Sequence, residues 1–386
     1  MIAPMTIRAA VLHEANRPLA VEQIELDPPG ADEVLVRVVA AGICHTDVHL
    51  ADGHLGQGRW PIVLGHEGAG VVEAVGENIH HVAPGDHVAF CFVAPCGTCG
   101  ACRRGRPNLC ETASANAWAG VLPGGARRLR FPGGADIQHF NGISCFAEHC
   151  VVPAASAVAL PSAFPLWQAS LIGCGVVTGV GAVRNAAQVR IGDSVCVIGC
   201  GGVGLQAVAA ARLAGAATVV AIDRDERKLA LAKHRGATHT IDASAQDSVA
   251  AVFSAVPGGV DHAIEVVGAP ETIRQAFAML RPGGTAVVVG IAPQGVDVSI
   301  PALDFLSEKT LRGCYYGTMN AAQEMPALIA MAADGRLDVG DVVSHVVDLD
   351  GINDAFDRLR RGEGIRSLLV LDREAAGYPD GAAPAA

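Results

Sequence analysis

The sequence predicts an α/β chain of two units, one mainly β and one built on a doubly wound parallel sheet. Three observations carry that reading. Residues 34–39, VLVRVV, alternate apolar and polar side chains as a half-buried strand does, among other short strand-and-turn segments. From residue 194 onward, apolar strand runs alternate with helical runs, the pattern of a parallel sheet covered on both faces. A chain of 386 residues is also long enough for two separate cores.

Composition narrows the classes of function. With 51% hydrophobic, 17% charged and 4% aromatic residues, the chain has a soluble, globular profile. A formal net charge of −11 argues against nucleic acid or an anionic membrane as partner. No secretory leader pattern opens the sequence and no unbroken apolar run of ~18 residues occurs, so a cytoplasmic location without membrane association is expected. Twelve cysteines, many of them scattered singly, suit metal ligation in a reducing compartment better than a disulfide framework.

In chain order, residues 8–14, 19–26 and 33–43 read as strands, with a DPPG turn at 27–30. Residues 69–79 and 83–90 add further strand-and-turn material, which makes the first half an antiparallel β domain. Inside it, residues 44–67 begin CHTDVH and end LGHE. A thiolate at Cys44 and a neutral imidazole at His66 are the ligand types a catalytic zinc takes, with a third ligand from elsewhere and a fourth position open. Glu67 follows directly, and glycines at 65, 68, 70 and 76 let the backbone fold tightly.

Next stands Cys96-x2-Cys99-x2-Cys102-x7-Cys110. Four thiols so close together can close a tetrahedral cage around a structural zinc. Iron–sulfur ligation and a redox disulfide are the alternatives. The seven residues before Cys110, where bacterial ferredoxins have three, disfavour the first. Residues 111–150 are irregular and Gly/Pro-rich, and are expected to form an exposed excursion. Cys174 follows, flanked by Gly173 and Gly175.

The second half opens with a strand at 194–198 and the run Gly199-Cys200-Gly201-Gly202-Val203-Gly204, which starts an Ala-rich helix. The strand 218–223 then ends in Asp223. Glycine spacing, strand before, helix after and an acidic residue about twenty positions on are together the context that a dinucleotide fingerprint requires. Asp223 would bond the adenosine ribose and favour NAD over NADP, while the neighbouring Arg224 pulls the other way. Further β/α units supply an open sheet of about six strands. Helical sequence resumes after 319, a strand closes at 366–372, and the last ten residues are expected to be disordered.

In this order, Cys44, the GHE triplet, the cysteine quartet, Cys174 and the glycine run resemble the zinc-dependent medium-chain alcohol dehydrogenases. The stretch GHEGAGVVEAVGENI fits that family's zinc signature. The resemblance implies a GroES-like catalytic domain over 1–176 and 319–386, and a Rossmann-type coenzyme domain over 177–318. It implies two zincs per chain: a catalytic one on Cys44, His66 and Cys174, with Glu67 just behind, and a structural one on the quartet. Asp47 would orient the His66 ring. Hydride would pass from the alcohol carbon to NAD, and the alcohol proton would leave through Thr46, the coenzyme ribose and His49. His45, Thr178, Lys228 and Arg366 match coenzyme-contacting positions, while Trp60, Phe92 and Phe140 match the substrate pocket. A homodimer or homotetramer is expected, paired at the strand LRGCYYG.

That resemblance implies oxidation of primary, medium-chain or aromatic alcohols to aldehydes. The alternative is a formaldehyde dehydrogenase acting on a glutathione or mycothiol adduct. Glutathione-dependent relatives have acidic residues near the positions of Leu55 and Gln57, and an arginine where this chain has Glu111 to Ser114. Neither is present here.

Overall fold

A computed structural model describes residues 3–55 and 60–379. The chain divides into two compact units, the first ending at Cys174 and resuming at Asn320, the second running Gly175–Met319.

The first unit begins with β1 (Met5–Leu12), β2 (Ala20–Leu26) and β3 (Glu33–Ile43), followed by a short helix, α1 (His45–Ala51). Then come β4 (Ile62–Val63), β5 (Glu67–Val75) and β6 (His87–Phe90), and helices α2 (Gly100–Arg103) and α3 (Glu111–Ala119). Strands β7 (Leu129–Arg130), β8 (Asp136–His139), β9 (His149–Pro153) and β10 (Ala157–Leu160) precede α4 (Leu166–Leu171). Among the described residues, β1, β2, β7, β8 and β4 close a barrel, and β10, β6, β5, β3 and two later strands form a sheet that β9 joins at β3. The period of two in β1 explains how the barrel and sheet share a wall. Ile7, Ala9 and Val11 point into one core with Ile24, Leu129 and Ile137, while Ala10 and Leu12 point into the other with Val36, Phe90 and Phe146.

Residues 111–150 depart from expectation. They are not an exposed excursion: β7 and β8 complete the barrel, and Leu122, Leu129, Ile137, Ile143 and Phe146 are buried. Strands of two and four residues are too short to print an alternation in sequence, so only the fold reveals them.

The second unit takes α5 (Val177–Gly181) and then alternates strictly. It runs β11 (Ser194–Ile198), α6 (Gly202–Leu213), β12 (Thr218–Asp223), α7 (Glu226–His234), β13 (His239–Asp242), α8 (Ser248–Ala255), β14 (Val260–Glu265), α9 (Pro270–Ala278), β15 (Leu280–Val288) and β16 (Thr310–Gly313). All neighbours pair in parallel in the order β13-β12-β11-β14-β15-β16, the doubly wound arrangement with its switch point beside β11. The helical run Leu166–Ala187, within which the unit boundary falls, is long and apolar enough to cross a membrane, but 94% of its most apolar window is buried.

The chain returns to the first unit with α10 (Ala321–Ala333), β17 (Val343–Val347), α11 (Ile352–Arg360), β18 (Arg366–Val370) and α12 (Arg373–Ala376). β18 pairs antiparallel with β3 and completes the larger sheet. The C-terminal end is more ordered than expected through residue 379: Tyr378 lies edge-on to Trp167, ring centroids 5.1 Å apart. Residues 380–386 lie outside the described residues.

Candidate active site

Cys44 caps the N-terminus of α1, and its backbone N–H donates to Asp47 Oδ2 at 3.0 Å. The other oxygen of this fully buried carboxylate accepts from Gly65 N at 3.1 Å and meets His66 Nδ1 at 3.2 Å. One aspartate therefore ties the helix start to the GHE turn and fixes the imidazole, leaving Nε2 for ligation. Cys174 comes from the helical run after α4. A Cβ on the preceding Gly173 would lie 2.0 Å from the Phe90 carbonyl, so glycine lets that helix seat against β6 and deliver the thiol.

Ligand atoms of Cys44, His66, Glu67 and Cys174 all lie within 4.8 Å of one another, and all four residues are buried. The thiol of Cys174 hydrogen-bonds to Cys44, which holds Cys44 well below the usual thiol range and Cys174 above it. Burial lowers His66, but the Asp47 carboxylate outweighs it and raises the ring's pKa. Burial pushes Glu67 up to about 7, against the opposing charge of Arg366. Nη1 of Arg366 donates to Glu67 Oε1 and to the Ile43 carbonyl, each at 3.1 Å. Arg366 is thus a buried counter-charge to Glu67, because β18 threads it into the sheet beside β3.

The donor set fits zinc. Two thiols able to ionise and one carboxylate outweigh the single guanidinium, and a divalent cation neutralises that buried excess. Glu67 Oε2 is buried with no hydrogen-bond partner among the described residues, which marks the same excess of acceptors. Phe92 and Phe140 stand edge-on to the His66 ring, centroids 5.3 and 5.4 Å away. Phe140 is held by Ser144, whose hydroxyl accepts from Phe140 N at 2.9 Å and donates to the Val63 carbonyl at 2.8 Å. Trp60 is half-buried against the same core, as is Leu55, while Gln57 lies outside the described residues.

The second cluster is local. Sulfurs of Cys96, Cys99, Cys102 and Cys110 also lie within 4.8 Å of one another. They accept backbone N–H groups from their own loop: Cys96 N to Cys110 at 3.3 Å, Cys99 N to Cys96 at 3.3 Å and Ala113 N to Cys110 at 3.4 Å. The Thr112 hydroxyl and the backbone N–H groups of Thr98 and Cys99 lower Cys96 to about 5. Such a sulfur cage fits a structural zinc and has no donor left for chemistry.

In the second unit, Gly201 caps α6 and Val203 lies in its first turn. A Cβ on Gly204 would lie 1.8 Å from the Gly199 carbonyl, whereas one on Gly201 meets nothing within 4 Å. The third glycine thus packs helix on strand, and the second leaves room at the helix N-terminus for a diphosphate. Gly202 begins the helix, and Gly199 takes φ +96° at the end of β11. Asp223 ends β12, its Oδ2 accepting from Cys200 N at 2.7 Å and its Oδ1 from Arg224 N at 2.7 Å. Arg224 is exposed, Lys228 is half-buried on α7, and Thr178 is buried on α5. In the first unit, His45 is exposed, Thr46 Oγ1 lies 3.5 Å from Cys44 Sγ, and half-buried His49 faces His54. His54 is a contact that sequence reading missed; its signal was the motif H-x3-G-H across the end of α1.

Fold and site together define a zinc-dependent oxidoreductase with a nicotinamide cofactor. Residues 30–162 match the alcohol dehydrogenase GroES-like domain, and residues 202–334 the zinc-binding dehydrogenase domain. Over 368 residues, 95% of this chain and 100% of the relative, the sequence is 38% identical to an S-(hydroxymethyl)glutathione dehydrogenase of Synechocystis sp.. An alcohol dehydrogenase zinc-binding domain protein from Burkholderia ambifaria superposes with a TM-score of 0.91 at 37% identity, covering 95% of this chain and 99% of that one. Benzyl alcohol dehydrogenase from Acinetobacter calcoaceticus superposes with a TM-score of 0.90 at 33% identity and the same coverage, 95% and 99%. The chain belongs to the zinc-dependent medium-chain alcohol dehydrogenase family.

Proposed function

We propose that this enzyme interconverts primary alcohols, medium-chain or aromatic, with their aldehydes, using NAD. The observation that carries the substrate class is the pair of phenylalanines, Phe92 and Phe140, edge-on to the His66 ring. Aromatic walls beside a polar centre suit an apolar substrate with one reactive oxygen. Zinc bound at Cys44, His66 and Cys174 supplies Lewis-acid polarisation of that oxygen. The chain's own groups handle the proton: Thr46 takes it from the alcohol, and His49 receives it on the way to solvent. Burial, and then the charge of His54, lower the His49 pKa, so the ring stays neutral and able to accept near pH 7.

Asp223, fixed by three N–H groups at the end of β12, favours NAD by bonding the ribose and repelling a 2′-phosphate. Comparable kcat/KM with NADP would remove that role. The enzyme is further read as a cytoplasmic homodimer or homotetramer paired through the edge strand β16, near which Leu303, Phe305 and Leu306 are exposed. Light scattering at micromolar concentration tests this, and a monomer would refute it.

The second reading, oxidation of a thiol adduct of formaldehyde, is favoured by the 38% identical Synechocystis relative. Against its glutathione form, residues 111–114 make the first turn of α3 without an arginine. One panel separates the readings: kcat/KM for benzyl alcohol and hexanol against formaldehyde with and without glutathione or mycothiol. Benzyl alcohol is expected to lead with no need of thiol. Activity on formaldehyde that requires a thiol and exceeds the alcohols would replace the first reading with the second.

A further inference from the structure

The helix that begins at Cys44 ends in an arrangement that the zinc site does not explain. After Asp52, Gly53 takes φ +77° and two reversed bonds close the helix, Gly53 N to Leu50 O at 3.0 Å and His54 N to His49 O at 2.8 Å. This is the Schellman ending, which lays the side chain after the glycine over the one a turn back. That contact is commonly between two apolar residues. Here both are imidazoles, facing Nδ1 to Nδ1 at 3.4 Å with ring centroids 5.6 Å apart. Two facing imidazole nitrogens make a hydrogen bond only when one carries a proton and the other does not, so the pair shares one proton. The distance is long, as catalytic hydrogen bonds often are before substrate tightens them. His49 is half-buried and His54 exposed, so the pair is a step from interior to solvent.

We propose that His54 is the outlet of the proton route: His49 passes its Nδ1 proton to Nδ1 of His54, which releases one from its other ring nitrogen. The inference rests on the reading of His49 as acceptor of the alcohol proton. In balance, His49 gains a proton on one nitrogen and loses one from the other. His54 does the same, and water or buffer base carries the proton away. No electrons move. In this route His54 acts only through His49.

The surrounding charges permit this. Asp52, at the end of α1, is held by Arg360 of α11 at 2.7 Å, and Arg360 also bonds Asp357 at 2.8 Å. The His45 ring stands 6.4 Å from that of His49, and Asp47 is turned to His66 and the Cys44 backbone. Cys44 and Asp52 raise the His49 pKa, but burial and the charge of His54 prevail and lower it. Burial is the largest of these effects, so the inner ring favours its neutral form and holds an arriving proton weakly.

The test uses zinc-loaded enzyme in single turnovers with benzyl alcohol and NAD, in dilute buffer across pH 6 to 9. His54→Leu keeps an apolar Schellman contact while removing the base, so a merely structural role predicts no loss. The proposal predicts a threefold to tenfold slower rate near pH 7, below the ~10²-fold or more for a group acting directly. Concentrated imidazole buffer should restore it. A wild-type rate in dilute buffer, or a loss that imidazole does not restore, overturns the proposal. His49→Gln separates the two claims. If it slows turnover while His54→Leu does not, only the outlet fails; if neither slows it, the reading of His49 fails as well. A readout without turnover is NMR titration of the histidine C2 protons. The His49 midpoint should rise in His54→Gln, which removes a positive neighbour, and an unchanged midpoint counts against the coupled pair.

Discussion

Two metal-ready clusters in the same unit are built on opposite plans. Four like donors, Cys96, Cys99, Cys102 and Cys110, come from one short loop, and three of the four are partly exposed. Their sulfurs are satisfied by backbone N–H groups of that loop, so the cage is nearly self-sufficient. Cys44, His66, Glu67 and Cys174 are unlike donors from the cap of α1, the turn before β5 and its first residue, and the run after α4, and all are buried. This second cluster exists only once the barrel and sheet have formed, and it retains an aromatic wall and a carboxylate oxygen with no hydrogen-bond partner among the described residues. A closed local cage holds a fold together, whereas an assembled mixed one is left able to react.

The sharpest way to break this contrast is to change one thiol in each cluster. Cys174→Ser should lower kcat by roughly 10³-fold or more, the several kcal/mol that a Lewis acid supplies. Its melting temperature should stay within a few degrees of wild type, with about one zinc retained per chain. Cys99→Ser should do the reverse. Soluble yield should drop and the melting temperature fall by about 10 °C, from a loss of several kcal/mol at about 2–4 °C per kcal/mol. The folded fraction should keep near-normal specific activity. If both variants lose stability and turnover alike, the division of labour is wrong.

A smaller effect sharpens the contrast one shell out. Asp47 serves only the assembled cluster, through Cys44 N, Gly65 N and the His66 ring. Asp47→Asn should weaken zinc retention at that site by about 10- to 100-fold, the usual cost of losing such a partner. Dialysis against a chelator should then strip one zinc and leave the quartet's. Loss of both zincs at the same rate would show that the clusters are not independent.

The same contrast explains what could be read from sequence. The quartet and the glycine run are legible because their donors and turns are neighbours in the chain, so spacing alone states the geometry. Cys174 was recognisable only by its place in the family's order; nothing local distinguishes it from other small cysteines. The ion pair of Arg366 with Glu67 is not legible in sequence, because the two meet only where β5 and β18 flank β3. The segment around β7 and β8 was misjudged because its apolar positions are interrupted by glycines and prolines, and its strands are too short to show a period. His54 carried its own signal, since a glycine one residue before it and a histidine five before it spell the Schellman contact. Capping rules for that position favour apolar residues, so the pair passed unnoticed.

The smallest expected effect tests where the two plans meet, at His139. Its backbone N–H donates to the carbonyl of Gly120, the residue that ends α3, and α3 itself is capped by Cys110 of the quartet. The next residue, Phe140, packs on His66 of the assembled cluster. The His139 ring is almost fully buried, its Nε2 accepting from Arg128 N at 3.1 Å and its Nδ1 unpartnered among the described residues. Burial, with Arg128 and Arg127 nearby, lowers its pKa to about 3. The sign follows from which state binds the proton. Above pH ~6.5 both folded and unfolded chains hold this ring neutral, and it costs nothing. As pH falls below ~6.5 the unfolded chain protonates and the folded one does not, so stability is lost at up to about 1.4 kcal/mol per pH unit, until the folded pKa is reached. His139→Gln keeps an acceptor for Arg128 N but cannot titrate. Measured from pH 7.5 to 5, the wild-type denaturant midpoint should therefore fall more steeply than the variant's. Zinc ligands also weaken in acid, but they do so in both proteins, and the difference isolates this ring. Midpoints that fall in parallel would show that His139 carries no share of the acid sensitivity, and the strand between the two clusters would then be held by packing alone.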